Sequence, residues 1–514
     1  MPRLTIPVVG SVGVIKDIEP QELPISAWSD CVNMRFYDGI AGRIKGDKQI
    51  FDTPAVAPYW LQPYTVGGVR NWVHAGLSAV YADDGTTRSN ITPSSAPTGG
   101  IDDRWTGGIF NGILIANNQV DAPIYWGGTG IAATLTNWPA NTIAKSVRPY
   151  KNVLVALGVT KNVGTTNDEY PHMVKWSTIA DPGTLPGTWD ETDVTETAGE
   201  RDLAEEQSVM VDQLPLGDAN IIYKENAMFS MVPSGGQDVF RFQRLPGNVG
   251  ALSQNCVANT PLGHVVLTNG DVIIHTGQGV RSIINARMRK WLFSRIDSQN
   301  RGRSFVAFNP VANEVLICVP QLGDEACTLA AVWNFANDVW SIRELNNATC
   351  AGVGQLNYGA ANSWAAATET WAELTAQWNQ DEFSAAQQRM LIGSSSPLIS
   401  VMDVTAKFSG TPFTSFLEKS GIHLDQPDRV KLIKSIYPRV KADAGTRIMF
   451  QVGGAMDVEG AITWKDPVTY TVGTSYKVDS MASGRFLAMR VQSIDDAQYE
   501  IRSMDIEYEF MGSY

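Results

Sequence analysis

The chain has 514 residues, enough for roughly three average domains, or for one large all-β domain with a smaller companion. A hydrophobic fraction of 44% and a charged fraction of 18% exclude wholesale disorder. The formal net charge of −13 argues against a protein that grips nucleic acid tightly, because neutralising phosphates needs a surplus of Lys and Arg. It does not argue against a passage through which DNA slides, although plain solubility is the commoner reason for such a charge.

The opening ten residues lack a basic region followed by a long apolar run, so no secretory leader is read there. No run of about 18 apolar residues is present to span a membrane as a helix. The cysteines Cys31, Cys256, Cys318, Cys327 and Cys350 are odd in number and form no Cys-x-x-Cys pair. They read as buried, reduced thiols of a protein made in cytoplasm.

From about residue 61 the dominant pattern is a short β-branched or aromatic run, a turn signal, then another run. Examples are Gly112–Ala116, Val153–Leu157, Ile221–Tyr223 and Glu314–Cys318. Turn pairs such as Asp84-Gly85, Asn111-Gly112 and Asn269-Gly270 favour the positive φ values of tight hairpins. The clearest hairpin is His264–His275, whose arms are matched and apolar on both sides of Asn269-Gly270. Units near Val66–Ala82, Trp105–Trp126, Val147–Trp176, Asn220–Leu245, Gly263–Ile284 and Ser304–Ile342 repeat loosely at about 40 residues, the length of a four-stranded propeller blade. Fifteen tryptophans suit the same architecture, where large rings fill the wedges between sheets.

Two segments stand out by charge. Asp181–Glu206 is an acidic excursion with only Arg201 opposing its carboxylates, and Arg281–Arg303 is basic, with room for a short helix in Ser282–Asn300. A salt-bridged contact between neighbouring copies would use Asp190, Glu191, Asp193 and Glu196 from the first and Arg287, Arg289, Lys290 and Arg295 from the second. Two separately solvated loops are the commoner arrangement for any single residue. Trp364, Trp371 and Trp378 lie seven apart in Ser363–Ile392, which reads equally as helix or as extended turns carrying large rings. Beyond Pro427 alternation returns, as in Ile448, Phe450, Val452 and Met504, Ile506, Tyr508, Phe510, the pattern of a two-layer sandwich.

The expected fold is therefore all-β. A segment at 1–60 completes the β core, a β-propeller-like domain covers 61–426, and a C-terminal β-sandwich-like domain covers 427–514.

Chemistry is harder to find. No Walker loop, Gly-x-Ser-x-Gly elbow or His-Glu-x-x-His helix occurs, and Gly277-Gln278-Gly279 lacks the third glycine of a dinucleotide site. His264 and His275 bracket one hairpin and would suit a metal pair, but strand-end histidines meeting backbone partners are far commoner. Asp83-Asp84-Gly85 and the Asp190–Asp193 cluster carry calcium-type ligands without EF-hand spacing. No pair of carboxylates is singled out for glycoside cleavage. No enzyme activity, metal or cofactor is expected.

Several stretches together resemble the nozzle protein of short-tailed bacteriophages, also called tail tubular protein B or the tail-hub stabilisation protein. They are Pro7–Gly46 with its "AWSD" and "NMRFYDG", Ile221–Val257, Gly263–Phe293, Ala330–Thr349 with Trp333 and Trp340, and Ser483–Ser493 with the terminal "DIEYEFMGSY". The resemblance implies a propeller core with added β domains. Six copies would form a ring below the adaptor and portal, extending and closing the DNA-ejection channel of a virion tail assembled in the host cytoplasm. It implies as partners further copies of the chain, the adaptor, tail fibres or spikes, and genomic DNA that passes unread. The competing expectations are a tail-associated polysaccharide-degrading enzyme or a receptor-binding protein, which would more often show a β-helix repeat or a repetitive trimeric shaft.

Overall fold

A computed structural model describes residues 2–235, 239–356 and 388–513. The protein is all-β: antiparallel sheets dominate, and the one α-helix among the described residues is the five-residue Arg289–Phe293. Trp364, Trp371 and Trp378 lie outside the described residues. The end of that stretch opens the strand Gln388–Ser394.

Five consecutive four-stranded meanders form the first five blades of a propeller. Their first strands are Trp60–Val66, Thr106–Phe110, Ile143–Tyr150, Met210–Leu216 and Val257–Thr260. The turn between Phe110 and Ile113 shows why the chain folds back where it does. Asn111 has φ 50° and Gly112 φ 86°, the two left-handed residues that match a hairpin's twist. The sixth blade is Phe305–Asn309, Glu314–Val319, Cys327–Asn334 and the first part of Val339–Gln355. That 17-residue strand then continues as the first strand of a seventh blade. From Ala348 to Gln355 it pairs with Gln388–Ser394, which pairs with Leu398–Thr405. The fourth strand of the seventh blade is Gly46–Gln49, supplied from the other end of the chain. This composite blade closes the ring.

Blade packing follows from the two-faced burial of these strands. Apolar clusters fill the wedges, such as Trp60, Trp105, Leu114 and Trp126 between the first and second blades. Tyr150, Trp176, Phe229 and Phe240 fill the wedge between the third and fourth. Burying each such side chain contributes roughly 1.5–3 kcal/mol. At the closure, Leu61 and Trp72 of the first blade pack with Cys350, Leu391, Ile399 and Val401 of the seventh. Gly352 makes this approach possible, since a Cβ there would stand 2.9 Å from the Trp72 ring.

The C-terminal region is a two-layer sandwich. One sheet runs Val478–Gly484, Arg429–Ala442, Tyr499–Ser513, Ile40–Arg43, Met34–Tyr37, with Arg3–Ile6 also on Tyr499–Ser513. The other runs Thr463–Trp464, Arg447–Ala455, Phe486–Ser493, Phe416–Ile422, Asp30–Val32, with Val468–Thr471 also on Arg447–Ala455. Alternate residues meet between the layers, among them Ile433, Ile436, Ile501 and Met504 against Leu417, Phe450, Val452 and Met489. The strand Phe416–Ile422 belongs here, so the change of domain falls between 405 and 416 rather than at 427. Its antiparallel pairing with Phe486–Ser493 decides this.

The N-terminal segment therefore serves both bodies. Between its sandwich strands Arg3–Ile6 and Asp30–Val32, Gly13 and Val14 run parallel to Ala27 and Trp28, and Gly13 also bridges Trp340 of the sixth blade. The Trp28 indole donates to Val9 O at 2.6 Å, and the Trp340 indole donates to Ile283 O at 3.2 Å.

Candidate functional site

In a propeller the first strands of the blades surround a central axis. Here that axis is closed by hydrogen-bonded side chains. Arg148, on the third blade, donates Nε and Nη2 to the Asp212 carboxylate of the fourth blade at 2.7 and 2.8 Å. The same guanidinium reaches Asn255 Oδ1 at 2.7 Å, just before the fifth blade, and Gly107 O at 3.3 Å on the second. Asp212 also accepts from Ser146 Oγ at 2.9 Å and from the backbone N–H of Asn255 at 3.0 Å. Asn255 Nδ2 in turn donates to Trp105 O at 3.1 Å. Burial alone would raise the Asp212 pKa, but Arg148 and these donors hold it below the ordinary carboxylate value. Arg104 spans the remaining side, donating to Arg303 O and Thr349 O at the sixth and seventh blades.

A second polar assembly sits where the N-terminal segment meets the last two blades. Arg35 binds Glu314 at 2.6 and 2.8 Å and Asp403 at 2.7 Å. Arg343 binds Asp403 at 2.7 Å and Asp47 at 2.6 Å. Two guanidinium groups thus face three carboxylates, and the shortfall falls on Asp47. Burial pushes its pKa up to about 6, with Arg343 opposing and Asp403 adding to the rise. Asp403 is held well below the carboxylate range, because Arg35 and Arg343 together outweigh its burial. The cluster borders a cleft of about 740 Å³ between propeller and sandwich, lined also by Tyr37, Lys45, Lys441 and Glu500.

The two hairpin histidines do face each other, as direct cross-strand partners with ring centroids 5.5 Å apart. A tyrosine stands between them. Tyr223 Oη lies 2.6 Å from His264 Nδ1 and 2.7 Å from His275 Nε2, while His264 Nε2 lies 3.0 Å from Pro215 O. The Gly277 N–H points at His275 Nδ1. These partners assign one neutral tautomer to each ring. His264 donates through Nε2 to Pro215 O and accepts from Tyr223. His275 donates through Nε2 to Tyr223 and accepts from Gly277. All four ring nitrogens are used, so neither histidine has a lone pair free for a metal. Burial lowers both histidines to about 4.

The sign of the resulting pH effect is fixed. An unfolded histidine takes its proton near pH 6.5 and the folded one resists until about 4, so this stability is present above 6.5 and lost as pH falls toward 4. The first protonation should cost roughly 3 kcal/mol, and the double variant His264→Gln, His275→Gln should flatten the decline. Urea midpoints for both proteins at pH 7.5 and 4.5 read this directly. Parallel declines would refute the relay's role.

The residues proposed from sequence for contacts between copies are not brought together within one chain. Glu191 is already engaged, forming ion pairs with Lys161 at 3.3 Å and with buried Lys175, while Glu200 shares both lysines. Asp190 and Asp193 close local turns by accepting from Thr192 and Thr195. Glu196 is exposed. The excursion also folds back on its blade through Trp189, whose ring lies 4.7 Å from that of Trp138. On the basic side, Arg289 binds Gly270 O at 2.7 Å and Arg295 lies 4.7 Å over the Trp291 ring. The side chains of Arg287 and Lys290 make no hydrogen bond or ion pair among the described residues.

Asp83 and Asp84, weighed as calcium ligands, are spent on Arg88 and on Thr86 and Thr87. Among the described residues no group of three His, Cys, Asp or Glu side chains is placed to hold a metal ion. The five cysteines are free and buried. No helix among the described residues is long and apolar enough to cross a membrane.

No protein-family model matches the chain, and no curated protein does. Solved structures similar to it include the computationally designed Ika8 protein, at 11% identity and TM-score 0.38, covering 77% of this chain and 100% of that one. The extracellular domain of a hybrid two-component system from B. thetaiotaomicron matches at 8% identity and TM-score 0.38, covering 70% of this chain and 40% of that one. The AfRom2 CNH domain matches at 9% identity and TM-score 0.35, covering 69% of this chain and 97% of that one.

Proposed function

We propose that the chain is a non-enzymatic structural protein that works as one copy in a ring. The particular protein it fits is the tail nozzle subunit of a short-tailed bacteriophage, which extends and closes the DNA-ejection channel below portal and adaptor. The observation that carries the reading is the double role of the N-terminal segment. Pro7–Gly46, one of the stretches on which the sequence resemblance rests, supplies strands to the sandwich and leads into the strand that closes the propeller. Such interlocking makes one stiff body, which suits a ring that bears load.

The closed propeller axis adds a constraint. With Arg148 and Arg104 tying six blades across it, DNA would run between copies, along the axis of the ring, rather than through a propeller. The net charge of −13 suits a wall that DNA slides past.

Native mass spectrometry of the purified protein, alone and mixed with the adaptor–portal complex, tests the reading. The expected species is a ring of about six copies, formed alone or only on the adaptor. A stable monomer or trimer that ignores the adaptor, and instead binds or degrades a surface glycan, would overturn it. Charge reversal at the two unengaged basic residues, Arg287→Glu with Lys290→Glu, is expected to weaken assembly without lowering the monomer's melting temperature. Unchanged assembly would remove the acidic-to-basic contact and leave the ring itself untouched.

A further inference from the structure

We propose that a small polar cavity beside the propeller axis, built on Arg104, binds a compact oxyanion, either a phosphate or a carboxylate. The cavity is about 210 Å³, where the sixth and seventh blades begin, and Tyr59, Arg104, Arg303, Asn347 and Ser395 line it. That is below the usual range of about 300–1,000 Å³ for drug-sized ligands, so a nucleotide is too large and a phosphate or short carboxylate fits.

The guanidinium of Arg104 is a buried charge with no ion-pair partner within 4 Å among the described residues, and the Asp102 carboxylate acts on it only at longer range. Three arginines are fully buried among the described residues: Arg43, Arg104 and Arg343. Arg343 has Asp47 and Asp403, and Arg43 has Asp496 at 3.7 Å. Arg104 is 5% exposed and forms no ion pair among the described residues. Its two terminal nitrogens donate to carbonyls at the long distances of 3.2 and 3.3 Å, and its Nε has no hydrogen-bond partner. A guanidinium stays protonated at any working pH, and burying it uncompensated costs several kcal/mol. An oxyanion in the cavity supplies the missing charge. Arg303 adds a second cation, although Asp102 already binds it at 2.7 Å. Glu325, on the exposed rim, opposes the field but is screened by solvent. Tyr59 and Ser395 hydroxyls provide neutral donors on the remaining wall.

Thermal unfolding of the full chain tests the site with inorganic phosphate, acetate and chloride at matched ionic strength. The midpoint should rise with concentration in phosphate, in acetate or in both, and stay flat in chloride; the active probe tells which class is bound. Arg104→Gln should raise the apparent dissociation constant at least tenfold. Should that variant fail to fold, Ser395→Glu takes its place: a carboxylate carried into the cavity should raise the midpoint without added anion and abolish the response. Equal wild-type midpoints in all three salts would overturn the proposal, and so would a full anion response in Ser395→Glu.

Discussion

Replacing Arg343 by Met is expected to destabilise the protein by about 3–5 kcal/mol at pH 8, as breaking a buried ion pair from one side does. Arg343 is 3% exposed and is the only ion-pair partner of Asp47 among the described residues. Asp403 keeps Arg35 when Arg343 is lost, but Asp47 keeps only the backbone N–H of Asp403. Its pKa, already raised to about 6, must rise further in the variant. The linkage then has a definite sign. A carboxyl whose folded pKa lies above its unfolded value of 3.8 stabilises below that value, and the contribution is lost as pH rises through the folded pKa. The deficit of Arg343→Met should therefore be smaller at pH 5, where Asp47 takes up its proton, than at pH 8. Urea midpoints of wild type and variant at the two pH values measure the difference. An equal deficit at both would mean that lost packing, not the stranded carboxylate, is what the substitution removes. The fragment most affected should be Gly46–Gln49, since the Asp47–Arg343 pair fastens that strand to the last strand of the sixth blade.

The same strand shows where sequence reading stops. Six repeats are visible because each carries its own apolar runs, three of them with a turn pair, and the hairpin about Asn269-Gly270 is nearly symmetrical in sequence. The seventh blade has no such signature. Its fourth strand, "GDKQ", is polar and lies some 350 residues from its partner strand Leu398–Thr405. Its first strand is the continuation of the sixth blade's last, so no turn punctuates the boundary. Periodicity detects blades that are contiguous and misses one that is assembled from both ends. The domain change before Phe416–Ile422 is hidden for a related reason: "FLEKSGI" does not alternate cleanly, and its place is set by pairing with Phe486–Ser493. For the polar sites, the facing of His264 and His275 follows from hairpin register, but Tyr223 is 41 residues upstream and only the packing of neighbouring blades brings it between them. No spacing marks Arg148, which stands between Lys145 and Lys151, Asp212, or Arg104, which follows Asp102-Asp103. Conversely, the charge clusters that sequence does mark, Asp190–Glu196 and Arg287–Arg295, turn out to be partly spent on local turns and ion pairs within the chain.

Asp212→Ala is the substitution expected to loosen the propeller as a whole. The carboxylate is 2% exposed and accepts from Ser146, from Arg148 twice, and from the backbone of Gln213 and Asn255. Removing it strands the Arg148 cation and several donors near the axis, with only Asn255 Oδ1 and Gly107 O left to the guanidinium. The cost should be about 3–5 kcal/mol, at the top of what single substitutions do. Asp212→Asn keeps the shape and part of the hydrogen bonding, so it should cost less, and the gap between the two variants measures the structural share. Because the blades meet only their neighbours and the axis, the damage should spread. Hydrogen exchange is expected to quicken in the first strands of the second to fifth blades together, at Thr106–Phe110, Ile143–Tyr150, Met210–Leu216 and Val257–Thr260. The sandwich strands Phe486–Ser493 and Arg447–Ala455 should keep their protection. Faster exchange confined to Met210–Leu216 would show that each blade holds its own strand at the axis and that the Arg148–Asp212 tie is dispensable. A rise across all four strands would establish that one carboxylate keeps the propeller axis shut, and with it the stiffness on which the proposed ring depends.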